Sequence, residues 1–110
     1  MNGLKPEIKK QWVAALRSGK YRQGRFALKQ GREFCCLGML CDLYGKAHGV
    51  PWSTSKEDGA TMLGASLDLP GAVIEWAFGA KRPPHNRLVA MNDDEKKSFA
   101  EIADYIEEVL

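Results

Sequence analysis

The centre of the fold is decided by residues 36–48, which read CLGMLCDLYGKAH. This run is apolar on every side, and a helix that is hydrophobic all round is normally buried. Gly49 and Pro51 follow it, as is typical of the end of a helix. We therefore predict a central, buried helix, in which Gly38 permits the close approach of a neighbouring backbone. The carboxylate of Asp42 must then reach the surface or pair, for example with an arginine from the first third of the chain.

Two amphipathic helices are predicted near the ends of the chain. The first begins at Pro6, which suits the first turn of a helix, and is stopped by Gly19. The last opens with Ser98, and Glu101 three residues later completes the pattern of a capping box. Apolar residues recur at helical spacing in both, namely Ile8, Trp12, Val13 and Leu16 in the first and Phe99, Ile102, Ile106 and Val109 in the last.

Five shorter segments complete the prediction. They are a β-hairpin within residues 21–36, a polar surface loop at 53–59, an extended return at 60–67, a helix at 70–78 with Val73, Trp76 and Ala77 turned inward, and an exposed basic loop at 81–87. A turn at Gln30-Gly31 supports the hairpin, and Pro83 and Pro84 exclude a helix around them. We therefore expect one α+β domain spanning residues 1–110, with about four helices around a buried central helix and a short β-hairpin or small antiparallel sheet.

The charges of the chain are unevenly distributed. Residues 1–33 carry nine Lys or Arg and two carboxylates, whereas residues 91–110 carry two Lys and seven carboxylates. The two ends can fold against each other in one chain, or meet across a possible homodimer. Three closely spaced cysteines indicate reduced thiols, and no apolar stretch approaches the ~20 residues of a membrane span. We expect a cytoplasmic protein that does not contact a membrane.

The most site-like stretch is the basic segment 17–25, which reads RSGKYRQGR. Arginines can grip phosphate oxygens as forks, and a tyrosine ring can stack on a nucleobase. The same residues also fit a helix C-cap at Gly19 with cations near the helix dipole, so both interpretations stay open. The candidate partner- or ligand-binding residues are Arg17, Lys20, Tyr21, Arg22, Gln23 and Arg25, with Asn92 and Asp93 added as polar groups before the last helix.

Cysteine chemistry is the main enzymatic alternative. Cys35 and Cys36 are expected where an extended run meets a helix N-terminus, which can lower the pKa of a thiol, and His48 or His85 would act as the base. The cysteines, with Cys41, also fit small core residues. A small nucleic-acid-binding module is the other alternative, which the basic first third permits and the acidic end discourages. The Cys and His spacing does not suit zinc, and no catalytic residue, metal or cofactor is predicted.

The run Cys-Cys-Leu-Gly-Met-Leu-Cys-Asp at residues 35–42 is the most distinctive motif of the chain. With WVAALRSGKY at 12–21, Leu69-Pro70 and the ending from Leu88 to Asp104, it resembles a widespread family of small proteins encoded in bacteriophage and prophage genomes. The resemblance covers most of the chain. The departures are Phe26, where a small residue is common, and the two-proline loop.

This resemblance implies a biological context and supplies no catalytic residues. Small phage accessory proteins commonly act by binding, often against a host defence complex or a signal molecule. We therefore expect a non-enzymatic phage or prophage accessory protein that binds and neutralises a host anti-phage defence component. The partner would be a host protein or nucleoprotein complex such as a CRISPR effector, or a nucleotide ligand. A cysteine-dependent hydrolase and a nucleic-acid-binding module remain the alternatives.

Overall fold

The computed structural model describes residues 3–55, 59–79 and 85–110. The elements in chain order are α1 (Pro6–Arg17), β1 (Arg22–Gln23), β2 (Lys29–Gln30), β3 (Glu33–Phe34), α2 (Cys36–His48), β4 (Ser53–Ser55), β5 (Gly59–Thr61), α3 (Gly71–Phe78), α4 (His85–Val89), a π-helical segment (Ala90–Asp94) and α5 (Phe99–Val109). The architecture is α+β, as the sequence predicts.

Helix α2 forms the centre of the molecule and has the predicted bounds. Its first six residues, Cys36 to Cys41, are buried, and it packs against α1, α3, α4 and β3. Gly49 ends it in the left-handed conformation, with φ 69°. A Cβ atom on Gly38 would lie 1.7 Å from the carbonyl oxygen of Leu28, so only glycine fits at this crossing. The predicted close approach at Gly38 is confirmed.

Helices α1 and α5 lie against each other and join the two ends of the chain. Arg17 forms ion pairs with Asp104 at 2.7 Å and with Glu107 at 2.5 Å. Ser98 and Glu101 form the predicted capping box. Three of the four predicted inward residues of α5 are buried, whereas the side chain of Val109 is 49% exposed, which corrects the prediction at the last turn. The basic and acidic ends therefore meet within one chain.

The predicted hairpin is present as part of a larger sheet. Strands β2 and β3 pair antiparallel around a turn at Gly31 and Arg32, and β1 adds to β3 in parallel, giving the order β1-β3-β2. The parallel strand was not predicted, because pairing between distant segments leaves no local pattern. A second sheet joins β4 and β5. The predicted loop 53–59 is therefore wrong for Ser53–Ser55, which forms β4, while residues 56–58 lie outside the described part of the chain.

The stretch before α5 differs from the prediction. The basic loop was predicted over residues 81–87, but α4 begins at His85, so that Arg87 is helical. Residues 81–84 lie outside the described residues. The chain then continues through the π-helical segment, where a turn was expected. A π-helical segment inserts an extra residue into a helix and is frequent at functional sites. Here it carries Asn92 and Asp93 into the interior.

Candidate functional site

A cationic pocket of about 410 Å³ lies between the three-stranded sheet and the second half of α2. Four cationic side chains and two aromatic rings line it, with one carboxylate. These are Lys20, Lys29, Arg32, Lys46, Tyr21, Phe34 and Asp42. The volume falls near the lower end of the range for small-molecule sites, about 300–1,000 Å³. Strand pairing brings Lys29 and Arg32 beside Tyr21, and α2 supplies Asp42 and Lys46.

Asp42 is the polar anchor of this pocket. Its Oδ2 accepts a hydrogen bond from the Tyr21 hydroxyl at 2.6 Å and one from Lys46 Nζ at 3.0 Å, and its Oδ1 accepts from Trp52 Nε1 at 3.1 Å. Burial alone would raise the pKa of Asp42, but the three donors outweigh it, so the pKa lies below its usual value. Asp42 is therefore an ionised carboxylate fixed by three donors. It pairs with a lysine of its own helix and not with an arginine.

The aromatic rings of the pocket hold ammonium groups. Lys29 Nζ lies 5.5 Å from the ring centre of Phe34 and 5.6 Å from that of Trp52, and Lys46 Nζ lies 5.4 Å from the ring centre of Tyr21. Cation–π contacts at these distances orient a flexible lysine. The Tyr21 ring also packs edge to face on Phe34 at 5.1 Å. The rings thus hold two lysines, Lys29 and Lys46, beside the pocket. Stacking of Tyr21 on a nucleobase stays a prediction.

Several cations around the sheet have no carboxylate partner among the described residues. They are Lys20, Arg22, Arg25, Lys29 and Arg32. Elsewhere Arg17, Arg87 and Lys97 each face a carboxylate. Lys46 pairs with Asp42. Burial of the Tyr21 hydroxyl and its hydrogen bond to Asp42 raise the pKa of Tyr21. The cations around the sheet therefore outnumber its carboxylate, Glu33 of β3, which stands in register with Arg22 of β1.

A second polar cluster, which we call the amide cluster, consists of Gln23, Asn92 and Asp93. Asn92 is fully buried; its Oδ1 accepts from Gln23 Nε2 at 2.9 Å and from the Cys36 backbone N–H at 3.3 Å. Its Nδ2 donates to the Gly24 carbonyl and to Asp93 Oδ1, both at 2.8 Å. Two acceptor and two donor sites are all an asparagine side chain offers, so Asn92 is saturated. The cluster joins β1, the start of α2 and the π-helical segment.

The amide cluster also holds an unusual residue, Phe26. The φ of Phe26 is 65°, a left-handed conformation that bulky residues rarely adopt, and its side chain is 67% exposed. The backbone N–H of Phe26 donates to Asp93 Oδ1 at 3.1 Å, next to the bond between Asn92 and Gly24. The hydrogen bond to Asp93 therefore stabilises a strained backbone conformation at Phe26, which leaves the phenyl ring in solvent.

The predicted site residues divide into three groups. Lys20 and Tyr21 line the cationic pocket. Gln23, Asn92 and Asp93 form the amide cluster and bond within the chain. Arg17 lies between α1 and α5 with its two carboxylate partners, which raise its pKa, and Arg22 and Arg25 are outside the pocket wall. The Nε of Arg25 is a buried nitrogen with no hydrogen-bond partner among the described residues.

Sequence reasoning missed three of the four cations of the pocket, namely Lys29, Arg32 and Lys46. They lie in three different elements, so no local run of cations marks them. A usable signal existed for Lys46, because a lysine four residues after Asp42 on one helix is a standard ion pair. Lys29 and Arg32 flank the predicted turn, where an antiparallel hairpin brings residues of both strands together.

The three cysteines are core residues in geometry. Cys36 and Cys41 are fully buried, and Cys35 is 6% exposed. Cys35 Sγ accepts a hydrogen bond from the Gly38 backbone N–H at 3.3 Å and so caps α2. Burial raises the pKa of Cys35 to about 11 and raises those of Cys36 and Cys41 as well. Backbone N–H groups at the start of α2 act to lower the pKa values of Cys35 and Cys36, but desolvation of the thiolate outweighs them.

In the described residues, no cluster of three or more His, Cys, Asp or Glu side chains is arranged to hold a metal, and no helix there is both long and apolar enough to cross a bilayer.

Comparison with known proteins identifies the family of the chain. Neither the search of curated proteins nor that of solved structures returns a match. A family model described as a domain of unknown function, DUF8296, matches residues 4–110. This match spans nearly the whole fold, both polar clusters included, and the chain therefore belongs to the DUF8296 family.

Proposed function

We propose that this chain is a non-enzymatic accessory protein of bacteriophage or prophage origin, which binds and neutralises a component of host anti-phage defence in the bacterial cytoplasm. The component would be a protein or nucleoprotein complex such as a CRISPR effector, or a nucleotide signal. The resemblance to phage-encoded small proteins supplies this context. The cationic pocket is the observation that carries the binding role.

Unpaired charge is the reason why the pocket favours binding. A folded protein gains little from like charges that have no partner, and Lys20, Lys29 and Arg32 converge on one concavity without one among the described residues. An anionic partner would supply the missing charge and displace only solvent. The pocket, in which aromatic rings hold Lys29, thus suits an anion.

The absence of a reactive thiol among the described residues favours binding over catalysis. A cysteine nucleophile must be a thiolate, and the raised pKa of Cys35 leaves little of it at neutral pH. We expect all three thiols of the native protein to react with iodoacetamide at pH 8 at least about a hundredfold more slowly than in denatured protein, because each pKa unit is a factor of ten in thiolate. One fast-reacting native thiol would instead support the hydrolase alternative.

The defence role is tested by phage plating. The chain is expressed in matched bacterial strains that each carry a single defence system, one a CRISPR effector and one a nucleotide-signalling system, and each strain is challenged with a phage that the system restricts. We expect plaque formation to be restored in one strain by the wild-type chain and not by the double variant Lys29→Gln/Arg32→Gln. Lys10→Gln, which removes one positive charge from α1 outside the pocket, should behave as wild type.

The control outcomes decide between explanations. Restored plating in neither strain, with the protein folded and expressed, would contradict neutralisation of these two defence classes. Equal plating by the wild type and the double variant would separate the function from the pocket. Circular dichroism of the purified variants establishes that both are folded.

A further inference from the structure

The geometry points to a ligand class for the cationic pocket: we propose that it binds the phosphate groups of a small nucleotide-like molecule, held by Lys20, Lys29 and Arg32. This inference rests on the proposed function, since it names what the binding site receives. Three observations carry it, namely the balance of charge in the pocket, the position of Lys29 over two aromatic rings, and the lining of a single pocket by all three cations.

The charge balance sets the charge of the ligand. Four cations and one carboxylate line the pocket, and Lys46 is neutralised by Asp42 at 3.0 Å. Lys20, Lys29 and Arg32 are left without an anionic partner among the described residues. A ligand with two or three negative charges would balance these cations, and a pyrophosphate group or a pair of phosphodiesters carries that charge.

The cations are chemically suited to phosphate. Arg32, in the hairpin turn, offers a planar fork of donors that matches two phosphate oxygens, and lysines act as point charges beside it. Lys29 is already held over two rings, so less side-chain entropy is lost when it binds than for a free lysine. Asp42 keeps Lys46 and Tyr21 in place at the wall without being free to accept further bonds at Oδ2.

Convergence of the cations favours a small ligand over a nucleic acid. Duplex and single-stranded chains are held by rows of cations that follow successive phosphates. Here the cations surround one cavity of about 410 Å³, which is of ligand size.

The ligand class is tested by titration of the purified full chain, monitored by amide NMR and calorimetry, with inorganic pyrophosphate, ADP and a short single-stranded DNA as probes. We expect pyrophosphate and ADP to compete for one site, to shift the amides of Gly31 and Arg32, and to bind more weakly as salt is raised. Lys29→Gln and Arg32→Gln should each lower the affinity about tenfold, since a hydrogen bond between charged groups contributes at least that factor. Lys10→Gln should leave it unchanged.

Three results would overturn the inference: no binding of pyrophosphate and ADP at millimolar concentration, equal affinity in the wild type and both pocket variants, or binding of the DNA alone, which would identify a nucleic-acid backbone as the occupant. Failure here is distinguishable from failure of the proposed function. Phosphate binding without any restored plating would contradict the defence role alone. Restored plating that depends on the pocket, without phosphate binding, would contradict the ligand class alone.

Discussion

The cationic pocket around Asp42 and the amide cluster around Asn92 satisfy their polar groups in opposite ways. Asp42 is a charged group held by Tyr21, Trp52 and Lys46, and it lines one pocket with three cations that have no carboxylate partner among the described residues. Asn92 is neutral and fully buried, and its bonds reach segments more than 50 residues away along the chain. Strand β1 and helix α2 connect the two clusters. One cluster therefore satisfies its polar groups within the chain, whereas the other leaves Lys20, Lys29 and Arg32 without a carboxylate partner among the described residues.

The largest expected effect is at Asn92. Asn92→Ala removes four hydrogen bonds and leaves the Cys36 N–H and the Gly24 carbonyl without their partner, so we expect the free energy of unfolding to fall by about 3 kcal/mol or more. Urea denaturation at neutral pH measures it. Gln23→Ala, which removes a half-buried partner of the same cluster, should cost less. A loss at Asn92 below that at Gln23 would contradict the assignment of Asn92 as the hub.

Asp42→Asn is expected to have a smaller effect of two kinds. The amide has one acceptor oxygen where the carboxylate has two, so the variant loses the ion pair with Lys46 and the hydrogen bonds to one oxygen. The free energy of unfolding should fall by about 2 kcal/mol. Removal of the carboxylate also leaves Lys46 unpaired, so pyrophosphate should bind more tightly. Asp104→Asn, which breaks an exposed ion pair with Arg17, should cost less than about 1 kcal/mol and leave pyrophosphate binding unchanged. If Asp42→Asn and Asp104→Asn changed stability and pyrophosphate binding equally, Asp42 would matter no more to the pocket than an exposed surface carboxylate.

The pH dependence of stability should report Asp42. Its folded pKa is lowered, so its contribution to stability is fully present above the unfolded pKa of about 3.9 and is lost as the pH falls through the folded pKa. Thermal unfolding between pH 6 and pH 2 should therefore show a smaller acid-induced loss in Asp42→Asn than in the wild type. Equal acid-induced losses of stability in the wild type and the variant would show that the three donors do not stabilise the charged form of Asp42.

The smallest expected effect, and the only gain in stability, is at Phe26. Glycine adopts the left-handed conformation without strain, whereas other residues lose about 1–2 kcal/mol there, partly offset by the greater freedom of glycine in the unfolded chain. We expect Phe26→Gly to raise the free energy of unfolding by up to about 1 kcal/mol. Phe26→Ala keeps the strain and serves as the matched control; a gain in the alanine variant as well would point to the exposed ring as the cause.

Features with a local cause could be predicted from the sequence. Pro6, Gly19, Ser98 and Glu101 are consistent with the observed limits of α1 and α5, because capping groups lie within a few residues of the backbone they satisfy. The buried α2 and its Gly38 contact follow from an unbroken apolar run. The candidate site was predicted only in part: Lys20 and Tyr21 reach the pocket, while Arg17 does not.

The remaining features depend on contacts between distant parts of the chain. Strand β1 pairs in parallel with β3, and Asn92 meets Cys36 across 56 residues; neither contact leaves a periodic or spacing signal. Local spacing relates Lys46 to Asp42 and Lys29 to Arg32, but it does not show that the two pairs line one pocket. Helical and capping patterns repeat every few residues, so the sequence determined α1, α2, α3, α5 and the hairpin, but not α4 or the π-helical segment. The pocket and the amide cluster exist only once the packing of α2 against the sheet and the π-helical segment has set the distances between their atoms.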